Sequence, residues 1–165
     1  RGVPGRYVTN LTLENIQIDL PGGGTVENST VEVPEAIDKY PEVKTFGPTI
    51  PAYGLWARHV KGLRLKNINF QLKFNDLRPA FILEDAKDIQ ISDCKIPETN
   101  KAESIIRLVN VEEAEIKNNE TKANANGFVS VEGSRSKSIR LDHNKSKSKK
   151  EIELASDVNP GVVEK

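Results

Sequence analysis

The sequence predicts an all-β fold, a right-handed parallel β-helix, and three observations carry the prediction. First, a short apolar alternation closed by an Asn-type residue recurs: VTNLTLENI at 8–16, VKGLRLKNI at 60–68, AKDIQISDC at 86–94, VEEAEIKNN at 111–119 and, more loosely, SKSIRLDHN at 136–144. Second, its first inward position falls at Leu11, Leu63, Ile89, Ala114 and Ile139, with intervals of 52, 26, 25 and 25 residues, the first being two periods long. Third, another alternation precedes each anchor by eight residues: Leu55 and Ala57, Phe81 and Leu83, Ile106 and Leu108. A period of this length built on two-residue alternation is that of a β-solenoid, because helical repeats space their apolar residues by three and four.

Leucine-rich repeats have a similar period but place Asn three residues after the second position of the L-x-L pair. Here Asn15, Asn67 and Asn118 come two after Leu13, Leu65 and Ile116. That spacing suits a tight turn in which Asn tolerates left-handed backbone angles and bonds to the Asn of the next coil. The expected ladder is Asn15, Asn67, Asp93 and Asn118, ended by His143 or Asn144. Each coil is expected to supply two or three short strands to parallel sheets ~4.8 Å apart, with the inward residues stacked into one core.

Taken in order, the chain reads as one unit of about five coils over residues 1–165. The first repeat starts eight residues in and has no cap. Such a raw parallel edge, in a chain that begins at Arg1 and contains no Met, predicts N-terminal coils of a longer parent protein as its first partner. Residues 21–52, rich in Gly and Pro, fill the long interval as an inserted loop, and loops of this length are functional or cover something. Within it Pro34 to Ile37 and Pro41 to Val43 read as first turns of short helices. In the fourth coil Val129 and Val131 lie ten and eight residues before Ile139, which leaves the register there open. Residues 145–165 lose aromatics and gain charge, reading as a last incomplete coil at Ile152 and Leu154 and a frayed or capping end.

Composition removes several function classes. With 24 basic and 24 acidic residues and no basic face, the chain has no electrostatic footprint for nucleic acid or an anionic membrane. No apolar run approaches the ~20 residues of a bilayer span. The single Cys94 excludes an intrachain disulfide framework and reads as a small buried hydrophobe. No His/Cys/Asp group has metal-ligand spacing and no glycine loop opens a helix for phosphate, so neither metal nor cofactor is expected.

The run YPEVKTFGPTIPAYGLWARHV at 40–60, followed by LRLKNINF and DLRPAFILEDA, resembles the C-terminal coils of bacterial members of glycoside hydrolase family 28, the polygalacturonase and rhamnogalacturonan-hydrolase family. The likeness covers roughly residues 1–95. It implies a β-helix from a secreted, periplasmic or surface-bound enzyme that hydrolyses galacturonic-acid-containing polysaccharide with inversion by paired aspartates. The family's Asp-Asp and Gly-His-Gly motifs are missing here. Arg64-Leu65-Lys66 has its Arg-x-Lys spacing, but on a coil without the other motifs, where two outward side chains of an alternating strand are the simpler reading. No catalytic residue is therefore assigned, and the chain is expected to complete the solenoid and one end of the sugar groove without activity of its own. Alternatives are a non-catalytic carbohydrate-binding or surface-display β-helix, or a lyase or epimerase whose acids or bases lie upstream.

If Leu55 and Ala57 point inward, Trp56 and Arg58 point outward beside Ile82, Glu84 and Arg107. Trp56 then either stacks on a sugar ring or packs on Ile82 under the 21–52 loop, and Arg58 either meets a uronate carboxylate or pairs with Glu84 across coils. Tyr53 and Arg78 stand just before those strands, where the resemblance puts the acids of catalytic coils, and Asp76 is near enough to neutralise Arg78. His59 and His143 read as structural or exposed.

Overall fold

The computed structural model describes residues 1–39 and 42–164. It is a β-solenoid of parallel strands: β1 Val8–Leu20, then β2 Leu55–Leu72, β3 Phe81–Ser92, β4 Lys95–Ile96, β5 Ser104–Lys117, β6 Glu120–Thr121, β7 Gly127–Glu132, β8 Lys137–Asp142, β9 Lys150–Leu154 and β10 Val163–Glu164. The anchor column pairs as read from the repeat, Leu11 with Leu63, Leu63 with Ile89, Ile89 with Ala114 and Ala114 with Ile139. The preceding column runs Leu55, Phe81, Ile106, Val129 and Ile152, which makes about four turns rather than five.

In the fourth coil the two alternations are separate short strands, β7 and β8, but in β2, β3 and β5 they are continuous. There they join into ladders as long as the 18 residues of β2, bent at single residues in the left-handed region. One bend is at His59, Asp85, Asn110 and Gly133, a second at Asn10, Gly62, Asp88, Glu113 and Ser138, and a third at Asn15, Asn67, Asp93, Asn118 and His143. Only Gly, Asn and Asp reach these angles at little cost, which is why such residues dominate the corners. At the third corner φ lies between 50° and 58°, and Asn67 Nδ2 donates to Asn15 Oδ1 at 2.8 Å.

The open register of the fourth coil resolves simply. Val129 stacks on Ile106 and Val131 on Leu108, and the two surplus residues widen the corner at Gly133 to Ser136. There Ser136 Oγ accepts from the Val111 amide and donates to the Glu132 carbonyl, so the wider turn leaves these groups paired.

The core is one stack of aliphatic rows, with Phe70 against Phe81 and Tyr53 edge-on to Phe70. A second, polar stack runs through it. Asn119 is fully buried, its Oδ1 accepts from the Cys94 amide, and its Nδ2 donates to the Ile91 carbonyl and to Asn144 Oδ1. The C-terminal end is capped rather than frayed: Val158 and Val162 are buried against the last coil, and Asn159 caps the short helical turn Pro160–Val162.

The 21–52 loop leaves β1 alongside residues 73–75 and holds a one-turn helix, α1 Val26–Ser29, with a capping box between Thr25 and Asn28. The helical start expected at Pro34 to Ile37 does not form. Ala36 has a left-handed φ of 40°, and a 3-10 turn begins only at Ile37 and runs to Lys39. A further turn covers Val43–Phe46, after Glu42; Pro41 lies outside the described residues.

Candidate functional site

The outward face of the strand segments that precede the His59, Asp85, Asn110 and Gly133 corner carries Trp56 and Arg58 on β2, Ile82 and Glu84 on β3, Arg107 on β5, and Ser130 and Glu132 on β7. The 21–52 loop crosses this face as a strap, held mainly by arginines that donate to its backbone carbonyls. Arg107 Nη1 bonds to the Ser29 carbonyl at 3.0 Å, Arg58 Nη1 to Val33 at 2.7 Å, Arg1 to Pro34 and Glu35, and Arg78 Nη1 to Ile50 at 3.2 Å. A guanidinium presents several donors in one plane, so each can hold a carboxylate and a strap carbonyl together.

Trp56 and Arg58 lie under the strap. Phe46 meets the indole edge-on at 6.0 Å, the Arg58 guanidinium stacks on it at 4.8 Å, and Ile82 is its cross-strand neighbour. Arg58 bonds Glu84 Oε2 at 2.5 Å and Glu35 Oε1 at 3.0 Å. Of the two roles weighed for this pair, the packed and ion-paired one is what the side chains do.

Arg78 grips Asp76 with two bonds, Nε to Oδ1 at 2.9 Å and Nη2 to Oδ2 at 2.7 Å, and the Gly24 amide of the strap donates to the same carboxylate at 2.9 Å. Burial pushes the Asp76 carboxyl up, but these bonds and the guanidinium charge outweigh it and hold it below its ordinary range. Tyr53 is buried beside this staple, its hydroxyl without a partner among the described residues; burial, with the Asp76 charge, pushes its phenol up. The four residues singled out from the sequence therefore gather at the strap and its base rather than along an open groove.

His59 belongs to a cluster that the sequence did not single out. Its Nδ1 lies 2.7 Å from Asp85 Oδ2 and its Nε2 lies 3.0 Å from Glu35 Oε1, while Tyr7 stands edge-on to the ring at 6.0 Å. Asp85 also accepts from the Tyr7 hydroxyl at 2.6 Å and from Arg135 at 2.7 Å, two coils away. Burial pushes the Asp85 carboxyl up, and the bonds from Tyr7, His59 and Arg135 more than reverse that. Glu35 is likewise held below the usual carboxylate range, its burial outweighed by His59 and Arg58. Glu84 pairs with Arg58 and Asp85 with His59, and both pairs meet at Glu35 Oε1, because the left-handed corner at His59 and Asp85 interrupts the strand alternation.

Beyond the strap the face is open. A cleft of ≈ 600 Å³ lies between Thr30 and the last coil, bordered by Glu103, Arg107, Glu132, Lys150 and Glu153. Arg107 pairs with Glu132 at 2.8 Å and Lys150 with Glu153 at 3.1 Å, and Ser130 donates to Ser104 on its floor. Among the described residues no group of three or more His, Cys, Asp or Glu side chains could hold a metal ion. Cys94 is buried, and burial raises its thiol to about 11, which keeps it protonated and unreactive. No family model, no curated protein and no solved structure matches the chain.

Proposed function

We propose that this chain is the C-terminal β-helix portion of a pectin-degrading glycoside hydrolase, completing the solenoid and one end of the sugar groove without hydrolysing substrate on its own. The observation that supports this division of labour is the state of the acids on the outward-facing strands, where three are ion-paired and Glu103 at the cleft rim, without a partner among the described residues, stands alone. Glu84 is paired with Arg58, Glu132 with Arg107 and Glu153 with Lys150. Inverting hydrolysis needs one carboxylic acid that keeps its proton and a second carboxylate free to activate water. A carboxylate bound to a guanidinium or ammonium is neither.

The catalytic acids are accordingly proposed on other coils of the parent protein, and the galacturonate-containing substrate and extracytoplasmic location rest on the resemblance of residues 40–60 and the strands that follow. The test is reducing-sugar release from polygalacturonate and rhamnogalacturonan by the purified chain. The expected result is none above the blank, and measurable release overturns the proposal.

The open cleft favours one other reading, a non-catalytic carbohydrate-binding β-helix, with Arg107 and Lys150 available to a uronate carboxylate once they exchange their present acids. Retardation of the isolated chain in a polygalacturonate gel, abolished by Arg107→Gln with Lys150→Gln, would favour this reading over the first.

A further inference from the structure

β1 has a neighbour on one side only among the described strands, pairing with β2 along its length. Its inward row is uncovered as a result. Leu11 is 40% exposed, whereas its register partner Leu63 is 1% exposed. Leu13, Ile16 and Ile18 are at best half-buried, over partners Leu65, Ile68 and Phe70 that are buried. The opposite end is partly closed: Val158 and Val162 are buried there, while Ile152 is half-buried and Leu154 is 37% exposed.

Three features say what fits on this edge. The Asn ladder is directional: Asn67 Nδ2 donates to Asn15 Oδ1, and the Asn15 amide group, at the same left-handed corner, donates to nothing among the described residues. The corners at Asn10 and Asn15 already have the angles that stack coil on coil deeper in the molecule, so β1 is bent to receive a further coil. Charge is the third. Outward acids and bases pair across neighbouring coils, with Glu14 to Lys66, Arg64 to Asp88, and Lys87 and Lys137 to Glu112, although Lys61 stands opposite Lys87. β1 itself carries Glu14 and Asp19 and no Lys or Arg, so two copies placed edge to edge bring acids only.

We infer that the open edge of β1 seats one further coil of the same polypeptide in parallel register. That coil carries aliphatic residues over Leu11, Leu13, Ile16 and Ile18, an Asn or Asp that accepts from Asn15, and a Lys or Arg over Glu14. Main-chain bonds along the edge give the coil its affinity, and the amide rung and the charge set its register. The inference shares with the function proposed above the existence of further coils and nothing of the sugar chemistry, so the two fail independently.

The probe is a synthetic peptide with the sequence of residues 60–72, VKGLRLKNINFQL, which carries Lys66 and Asn67 at the required spacing. Titrated into the chain, it is expected to bind saturably and to slow exchange of β1 amides by at least about tenfold while leaving β9 amides unchanged. Its Asn67→Ala and Lys66→Glu versions are expected to bind about fivefold more weakly each. Absence of saturable binding, equal binding of all three peptides, or a dimer of the chain alone that Leu11→Lys dissolves would each overturn the inference, the last by making a second copy the occupant.

Discussion

Ile68, Cys94, Asn119 and Asn144 occupy one column on successive coils, and the column changes from aliphatic to amide at Cys94. A buried amide is tolerated only when each of its donors and acceptors is met, and Asn119 satisfies this through Cys94, Ile91 and Asn144. Asn119→Leu fills the same space but orphans the Cys94 amide and the Ile91 carbonyl. It should lower stability by about 3 kcal/mol in urea unfolding. Asp76→Ala removes the acceptor of four donors and leaves Arg78 half-buried without its charge partner. A loss of about 3 kcal/mol is expected, read by the same unfolding curves.

At the scale of the element, the strap is docked by carboxylates and guanidiniums with few apolar anchors: Val33 is buried and Phe46 meets Trp56. Asp76 and Glu35, which tie it to the sheet, have carboxyl groups held below their ordinary values, as does Asp85, which holds His59 against Glu35. A group depressed in the folded state contributes stability that is present above its unfolded value and lost as pH falls through the folded one. Acid should therefore release the strap, with limited proteolysis within residues 21–52 accelerating as pH drops below about 4 while the solenoid stays intact. Gly24→Ala makes the same point at neutral pH. A Cβ there would collide with Arg78 Nε and Asp76 Oδ1, so the staple must open, and faster cleavage of the strap is expected with little change in the main unfolding transition.

The two ends of the molecule differ: the first is an open strand edge along β1, and the last is partly covered by Val158 and Val162. Register partners should therefore differ in worth: Leu63→Ala is expected to cost about 3 kcal/mol, whereas Leu11→Ala, on the exposed edge, should cost less than about 1 kcal/mol. Denaturant unfolding of the two variants checks this directly. Equal losses would mean that β1 is covered in solution.

Stacking in a solenoid is periodic, so the repeated phrase determined the coil path, the inward rows from Leu11 to Ile139 and the left-handed corners at Asn15, Asn67, Asp93 and Asn118 without reference to anything distant. Outside the period it was silent. The contacts of Trp56, Arg58 and Arg78 depend on where a non-repeating strap lands, and that is set by arginines meeting backbone carbonyls, which every residue possesses and no motif records. The His59 cluster joins residues from four parts of the chain, Tyr7, Glu35, Asp85 and Arg135, and the buried Asn119 bonds belong to the residue after the expected ladder position Asn118. Repetition made the scaffold legible one coil at a time; only the folded chain brought together side chains whose partners lie dozens of residues away.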